Sequence, residues 1–223
     1  MFFVALALLP AMLLMIWLYT RDRIHPEPKR AVYRVFLLGA AIVLPAGLLE
    51  RVMLESGFNQ HKGTFGGILI TAFFVAGMVE EFLKAAIVER AAVQTGLIKA
   101  PLDSIIYSGA CALGFATVEN VLYVTSSGFS TALLRSVTAV PAHLMFGILM
   151  GVFFTNSMTH RHSRAWAYIV PALAHGVYDT FALSNTWLGD VLLFIYLIIL
   201  LEITLRSIDK VSHLPRTQMP FRI

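Results

Sequence analysis

The chain alternates long apolar runs with short polar linkers. Seven runs approach or exceed the ~20 residues that a helix needs to cross a hydrocarbon layer of roughly 30 Å. They fall at about 2–19, 31–49, 66–93, 102–124, 133–154, 166–183 and 187–205. Lipid offers the backbone no hydrogen bonds, so runs of this length predict helices, which satisfy their own amides. The expected fold is all-α: a polytopic membrane helix bundle of about seven transmembrane helices. It forms one transmembrane domain over 1–206, followed by a polar tail over 207–223. The run at 66–93 is long enough to tilt or to emerge on one side. The first run has no basic segment before it and is as long as a full span, so it reads as a retained helix and not as a signal peptide.

Composition supports a lipid solvent. Apolar residues make up 58% of the chain, and the mean hydropathy is +0.76; soluble domains are about half apolar. A single cysteine, Cys111, leaves no intrachain disulfide and no cysteine-based zinc knuckle. The net charge of +4 does not call for a nucleic-acid partner, because the linkers account for it. With residue 1 outside, fourteen of the seventeen Lys and Arg fall on the inner side, and only Arg51, Lys62 and Arg135 on the outer. The positive-inside rule then predicts N-out/C-in, a cytoplasmic tail and residence in the cell membrane. The first inner linker, Arg21-Asp22-Arg23-Ile24-His25-Pro26-Glu27-Pro28-Lys29, reads as a rigid, solvated turn whose prolines end one helix and set up the next.

Polar residues inside the runs are the informative exceptions. Glu80 and Glu81 sit in the middle of the third run, with Lys84 one turn on and on the face of Glu80. A carboxylate at that depth costs on the order of 3 kcal/mol, so it needs a partner, a bundle interior or a water-filled cavity. A structural ion pair would use one Glu and the Lys, which leaves a spare carboxylate suited to acid–base work. The fourth run carries Glu119 and Asn120 toward its outer end. The fifth carries His143 just after Pro141, a residue expected to kink the helix and open a pocket. The sixth carries His175 and Asp179 one turn apart, a spacing that orients an imidazole and sets its tautomer. Gly77, Gly114, Ala142, Gly147, Ala174 and Gly176 flank these residues and allow helices to approach closely. Two histidines and several carboxylates at similar depth can converge on one water or one metal ion, which is what peptide hydrolysis requires.

Glu80-Glu81-x-x-Lys84, Phe115-x-x-x-Glu119, His143 and His175-x-x-x-Asp179 resemble, in that order on four successive spans, the motifs of the PrsW family of bacterial membrane proteases. Asp22-Arg23 and Glu27-Pro28 fit as well, and the resemblance covers about residues 15–205. The family is distantly similar to the CAAX prenyl-protein proteases. The resemblance implies a peptidase whose substrate is a transmembrane protein in the lipid bilayer, with a role in making the first cut in an anti-sigma factor during regulated intramembrane proteolysis and stress response. It implies Glu80 and Glu81 as the catalytic pair, with His143 and His175 beside them and Lys84, Glu119, Asn120 and Asp179 in support. The CAAX relatives have His where this chain has Glu119, and usually Asn where it has Asp179. That departure leaves two mechanisms open. One is a water activated by glutamate alone, as in those relatives. The other is a Zn²⁺ site of Glu119, His143 and His175 with Glu80 as base, although no H-E-x-x-H is present. No organic cofactor is expected. The competing functional class is a proton-coupled transporter using the same intramembrane Glu and His residues as a relay.

Overall fold

The computed structural model describes residues 2–22, 26–58, 63–159 and 162–214. Among these it holds eight helices and no strand. They are α1 (Phe2–Tyr19), α2 (Lys29–Phe58), α3 (Phe65–Val93), α4 (Pro101–Ser127), the short α5 (Phe129–Val137), α6 (Ala139–Met158), α7 (Trp166–Ala182) and α8 (Trp187–Ser212). Each apolar run falls on one helix, except the fifth, which spans α5 and α6. Five segments are long and apolar enough to cross a membrane: α2, α3, α4, Leu133–Met158 and α8. Helices α1 and α7, at 18 and 17 residues, are shorter. The outer surface is apolar, with Leu13, Ile16, Leu44, Phe74, Leu173 and Phe194 all exposed. This is the expected all-α polytopic membrane bundle.

Helices α2 and α8 outrun their apolar stretches furthest. Helix α2 continues past the expected end at 49, with Gly57 (φ 117°) turning the chain out of helical geometry just before Phe58, and Arg51 supports the extra turns by pairing with Glu55 at 2.8 Å. Helix α8 continues to Ser212, so the expected boundary at 206/207 lies within it; Ile208 and Val211 are buried in the core. Arg23, Lys62, Arg161 and the tail from 215 onward lie outside the described residues.

Helix α4 is the central post. Every residue from Pro101 to Thr117 is buried, with α1, α2 and α6 packed around it. Helices gain little from the hydrophobic effect against lipid, so close van der Waals contact between small residues holds them together. At Gly114 the backbones of α4 and α2 meet: an added Cβ would stand 2.0 Å from the Phe36 carbonyl oxygen.

Two local departures from regular helix prepare the interior. Pro141 lacks an N–H, and its ring crowds the carbonyl four residues back, that of Val137. The helix breaks next to that carbonyl, at Thr138 (φ −115°, ψ −69°), which separates α5 from α6. In α3, residues Thr71–Gly77 form wide π-helical turns immediately before the Glu80–Glu81 pair; such turns are common at functional sites.

The 21–29 linker is only partly the solvated turn expected from its charges. Glu27 is buried. Tyr107 of α4 donates to its Oε2 at 2.5 Å, and Tyr19 of α1 donates to its carbonyl at 2.8 Å. A charged loop residue thereby ties the α1–α2 connection to the central post. On the same end of the bundle, Arg164 (2.7 Å) and Tyr168 both donate to Glu89, linking the end of α3 to the start of α7.

Candidate active site

Glu80, Glu81 and Lys84 lie on consecutive turns of α3, below its π-helical stretch. His143 sits one turn into α6, just after the Thr138 break. His175 and Asp179 come from α7 and Glu119 from α4. Helices α3 and α7 can meet here because each carries a glycine at the crossing. A Cβ on Gly77 would stand 2.7 Å from the Ala172 carbonyl oxygen, and one on Gly176 would enter the Phe73 ring at 2.4 Å.

Four helices thus bring the sequence-predicted residues into one buried network. Lys84 donates from Nζ to Glu80 Oε2 at 2.9 Å and to Glu81 Oε1 at 2.7 Å, and bonds His143 Nδ1 at 3.0 Å. An ammonium can only donate, so His143 accepts at Nδ1 and carries its proton on Nε2. That Nε2–H donates to Glu119 Oε2 at 2.9 Å. His175 Nδ1 lies 3.0 Å from Glu81 Oε1, and its Nε2 lies 3.4 Å from Asp179 Oδ2. The two imidazole centroids are 5.1 Å apart, and Phe146 stacks on His175 at 4.9 Å. Asn120, expected beside this group, is buried and donates to Ser136 Oγ at 3.3 Å.

The inner ring of donors suits a divalent cation. Glu80, Glu81, His143 and His175 each offer one ligand atom, all within 4.8 Å of one another. Each histidine turns Nδ1 toward the ring and rests Nε2 on an outer carboxylate, the arrangement that orients metal-ligating imidazoles. Glu81 Oε2 is buried without a hydrogen-bond partner, a lone pair in want of a cation. Two nitrogens and two carboxylates are donors that Zn²⁺ accepts. This ring differs from the Glu119, His143 and His175 set read from the sequence. Glu119 stands behind His143 and is held from its other oxygen by Arg135 at 2.8 Å.

A cavity of about 720 Å³ opens onto this network. It is lined by Glu80, Glu119, His143, His175 and Asp179, while Glu81 and Lys84 lie behind its wall. Its upper part is bounded by Leu54 of α2, Thr131 of α5 and Asp190 of α8. All three lie toward the end of the bundle carrying Gly63–Thr64, Gly128 and the 183–186 connection, opposite the basic linkers. Arg135, Glu50 and Tyr178 are among the lining residues that the sequence did not mark as part of the site. Arg135 left one signal, as one of only three basic residues on its side of the chain. It also lies over the Tyr123 ring at 3.7 Å.

Fold and site together define a polytopic membrane protein built round a buried carboxylate–imidazole centre, the architecture of a membrane-embedded hydrolase. The family model described as PrsW family intramembrane metalloprotease matches residues 27–204. Protease PrsW of Clostridioides difficile (strain 630) is 35% identical over 215 residues, covering 92% of this chain and 89% of that protein. Protease PrsW of Oceanobacillus iheyensis is 34% identical over 174 residues (76% and 78%), and that of Bacillus subtilis (strain 168) 31% over 184 residues (79% and 81%). No solved structure matches the chain. The chain belongs to the PrsW family of intramembrane metalloproteases. It is a membrane peptidase, acting on a protein substrate within the lipid bilayer.

Proposed function

We propose that this peptidase cuts a membrane-spanning protein in the cavity above Glu80, near the outer face of the membrane. The observation that carries the reading is the ring of Glu80, Glu81, His143 and His175, buried at one level yet opening onto a cavity through Glu80 and the two histidines. Glu80 is the general base. Its side chain is 7% exposed and lines the cavity, whereas that of Glu81 is fully buried. Glu80 takes the proton from the attacking water and returns it to the leaving amine. Glu81, His143 and His175 hold the centre; Glu119 fixes the His143 imidazole through its Nε2–H, and Asp179 backs His175 from 3.4 Å. These donors would hold a Zn²⁺, which when bound would supply Lewis-acid polarisation of the scissile carbonyl and acidify water. The basic linkers make the opposite face cytoplasmic, giving N-out/C-in with a single peptidase domain that runs to the end of α8 at Ser212 and a cytoplasmic tail after it. Following the family resemblance, the substrate is an anti-sigma factor receiving its first cut. The transporter reading is less favoured, because α4 is buried without a break from Pro101 to Thr117 and the cavity opens toward one end of the bundle.

The test is cleavage of a panel of single-span membrane proteins by the purified chain in liposomes, read by gel and mass spectrometry. Wild type should cut, and Glu80→Gln should insert normally but cut about 10²–10⁴-fold more slowly. A chelator should abolish activity, and added Zn²⁺ should restore it. Full activity in Glu80→Gln would remove Glu80 from the chemistry. Chelator-resistant cleavage would leave a glutamate-activated water as the mechanism.

A further inference from the structure

The donor ring is already bonded to a cation of the chain itself. Lys84 Nζ lies 2.9 Å from Glu80, 2.7 Å from Glu81 and 3.0 Å from His143, so it is bonded to three of the four groups that can hold a metal. Its remaining side faces the Phe115 ring, 3.9 Å from the centroid, and none of its side chain is exposed. An ammonium and a divalent ion make the same demand on a carboxylate, namely a lone pair and a negative charge.

His143 turns this overlap into exclusion. An imidazole nitrogen has a single in-plane lone pair, and that of Nδ1 is directed at Lys84. The other nitrogen carries its proton to Glu119. His143 therefore cannot ligate a metal through Nδ1 while it accepts from Lys84. Turning the ring to offer Nε2 would break both bonds at once. Two cations at such spacing, away from water, would also repel each other strongly.

We infer that Lys84 is a built-in competitor for the metal: its ammonium and the divalent ion are alternative occupants of one site, and the ion enters only as the ammonium leaves. The inference rests on the reading of the ring as a metal site. In the lysine-held state the ammonium bonds both glutamates and offsets one of their two charges, and His143 is locked, so the centre stays assembled without the ion. Lys84 lies four residues after Glu80 and three after Glu81 on one helix, so the Glu-Glu-x-x-Lys spacing supplies both the ligands and their internal cation.

The decisive measurement is Zn²⁺ affinity of the full chain in detergent, by competition with a chromophoric chelator, with metal content read by mass spectrometry. Lys84→Met should bind one Zn²⁺ at least about tenfold more tightly than wild type. Lys84→Arg, which keeps the cation, should bind no more tightly than wild type. If Lys84→Met does not accumulate, Lys84→Gln is read in its place. A merely structural lysine would shift affinity the other way, since a disordered ring binds more weakly. Equal or weaker Zn²⁺ binding in the neutral variants, with wild type binding one ion through His143, overturns the competition and leaves the metal site standing. No specific Zn²⁺ in wild type or in the neutral variants overturns both.

Discussion

His175 and His143 show how single residues are set for their work. Each imidazole is held between an inner carboxylate or ammonium and an outer carboxylate, so neither can rotate freely. Replacing such an outer carboxylate typically costs about 10–100-fold in metal affinity or activity. Asp179→Asn should therefore lower both cleavage rate and Zn²⁺ affinity by that order, with the helical circular dichroism unchanged; normal rate and affinity would show that Asp179 does not orient His175. Glu27 makes a different point, since it lies in the 21–29 linker and outside the spans. Burial pushes its carboxyl from 4.5 up to about 7, with Asp103 and Asp22 adding repulsion against the partial relief from Tyr107. The native state thus holds a proton that the unfolded chain releases, and stability falls as pH rises from about 4.5 to about 7. The thermal midpoint of the wild type in detergent should drop across this window, and Glu27→Gln should flatten that part of the profile. A wild-type slope retained in Glu27→Gln would place its origin elsewhere.

Helices carry the next level of control. The contact between α3 and α7 exists because Gly77 and Gly176 have no side chains, and that contact brings Glu81 Oε1 within 3.0 Å of His175 Nδ1. Gly77→Val would force its branches against the Ala172 carbonyl, a backbone atom that cannot step aside. Such overpacking costs typically about 1–3 kcal/mol, but the larger effect should be on cleavage, because the helix carrying both glutamates moves from its histidine. Activity should fall well beyond the loss of folded protein, measured as turnover per folded molecule. Gly47→Ala is the control, with nothing within 4 Å of the added Cβ, and should keep full activity. The Thr138 break and the π-helical turns before Glu80 act in the same sense. Both re-aim a helix just above a residue of the network.

For the whole molecule, the question is which side of the membrane the cavity faces. Orientation follows from charge, and the cavity lies at the end away from the basic linkers. Cys111 is buried, so reporter cysteines in a Cys111→Ala background can read it out. A Ser127→Cys reporter should react with an impermeant maleimide in intact cells, and Ser163→Cys only after permeabilisation. The opposite pattern would turn the cavity toward the cytoplasm and reverse the expected cleavage side.

The sequence by itself determined the bundle. Apolar run length sets helix number and place, since lipid leaves the backbone no alternative. It also determined the pairs within one helix, Glu80 with Lys84 and His175 with Asp179, because the helical repeat puts them on one face. Only the tertiary structure decided the pairs between helices. His143 meets Glu119 from α4 and Lys84 from α3, and Glu119 meets Arg135 from α5, none of which a spacing along the chain can encode. The same holds for the grouping of Glu80 and Glu81 with the two histidines in place of Glu119, and for the burial of Glu27 inside a linker that looks solvated. The physical reason is common to all of them. Local periodicity fixes which face a residue occupies, whereas its neighbours across the bundle depend on how closely helices approach and where they bend, and here glycines, Pro141 and the π-helical turns decide both.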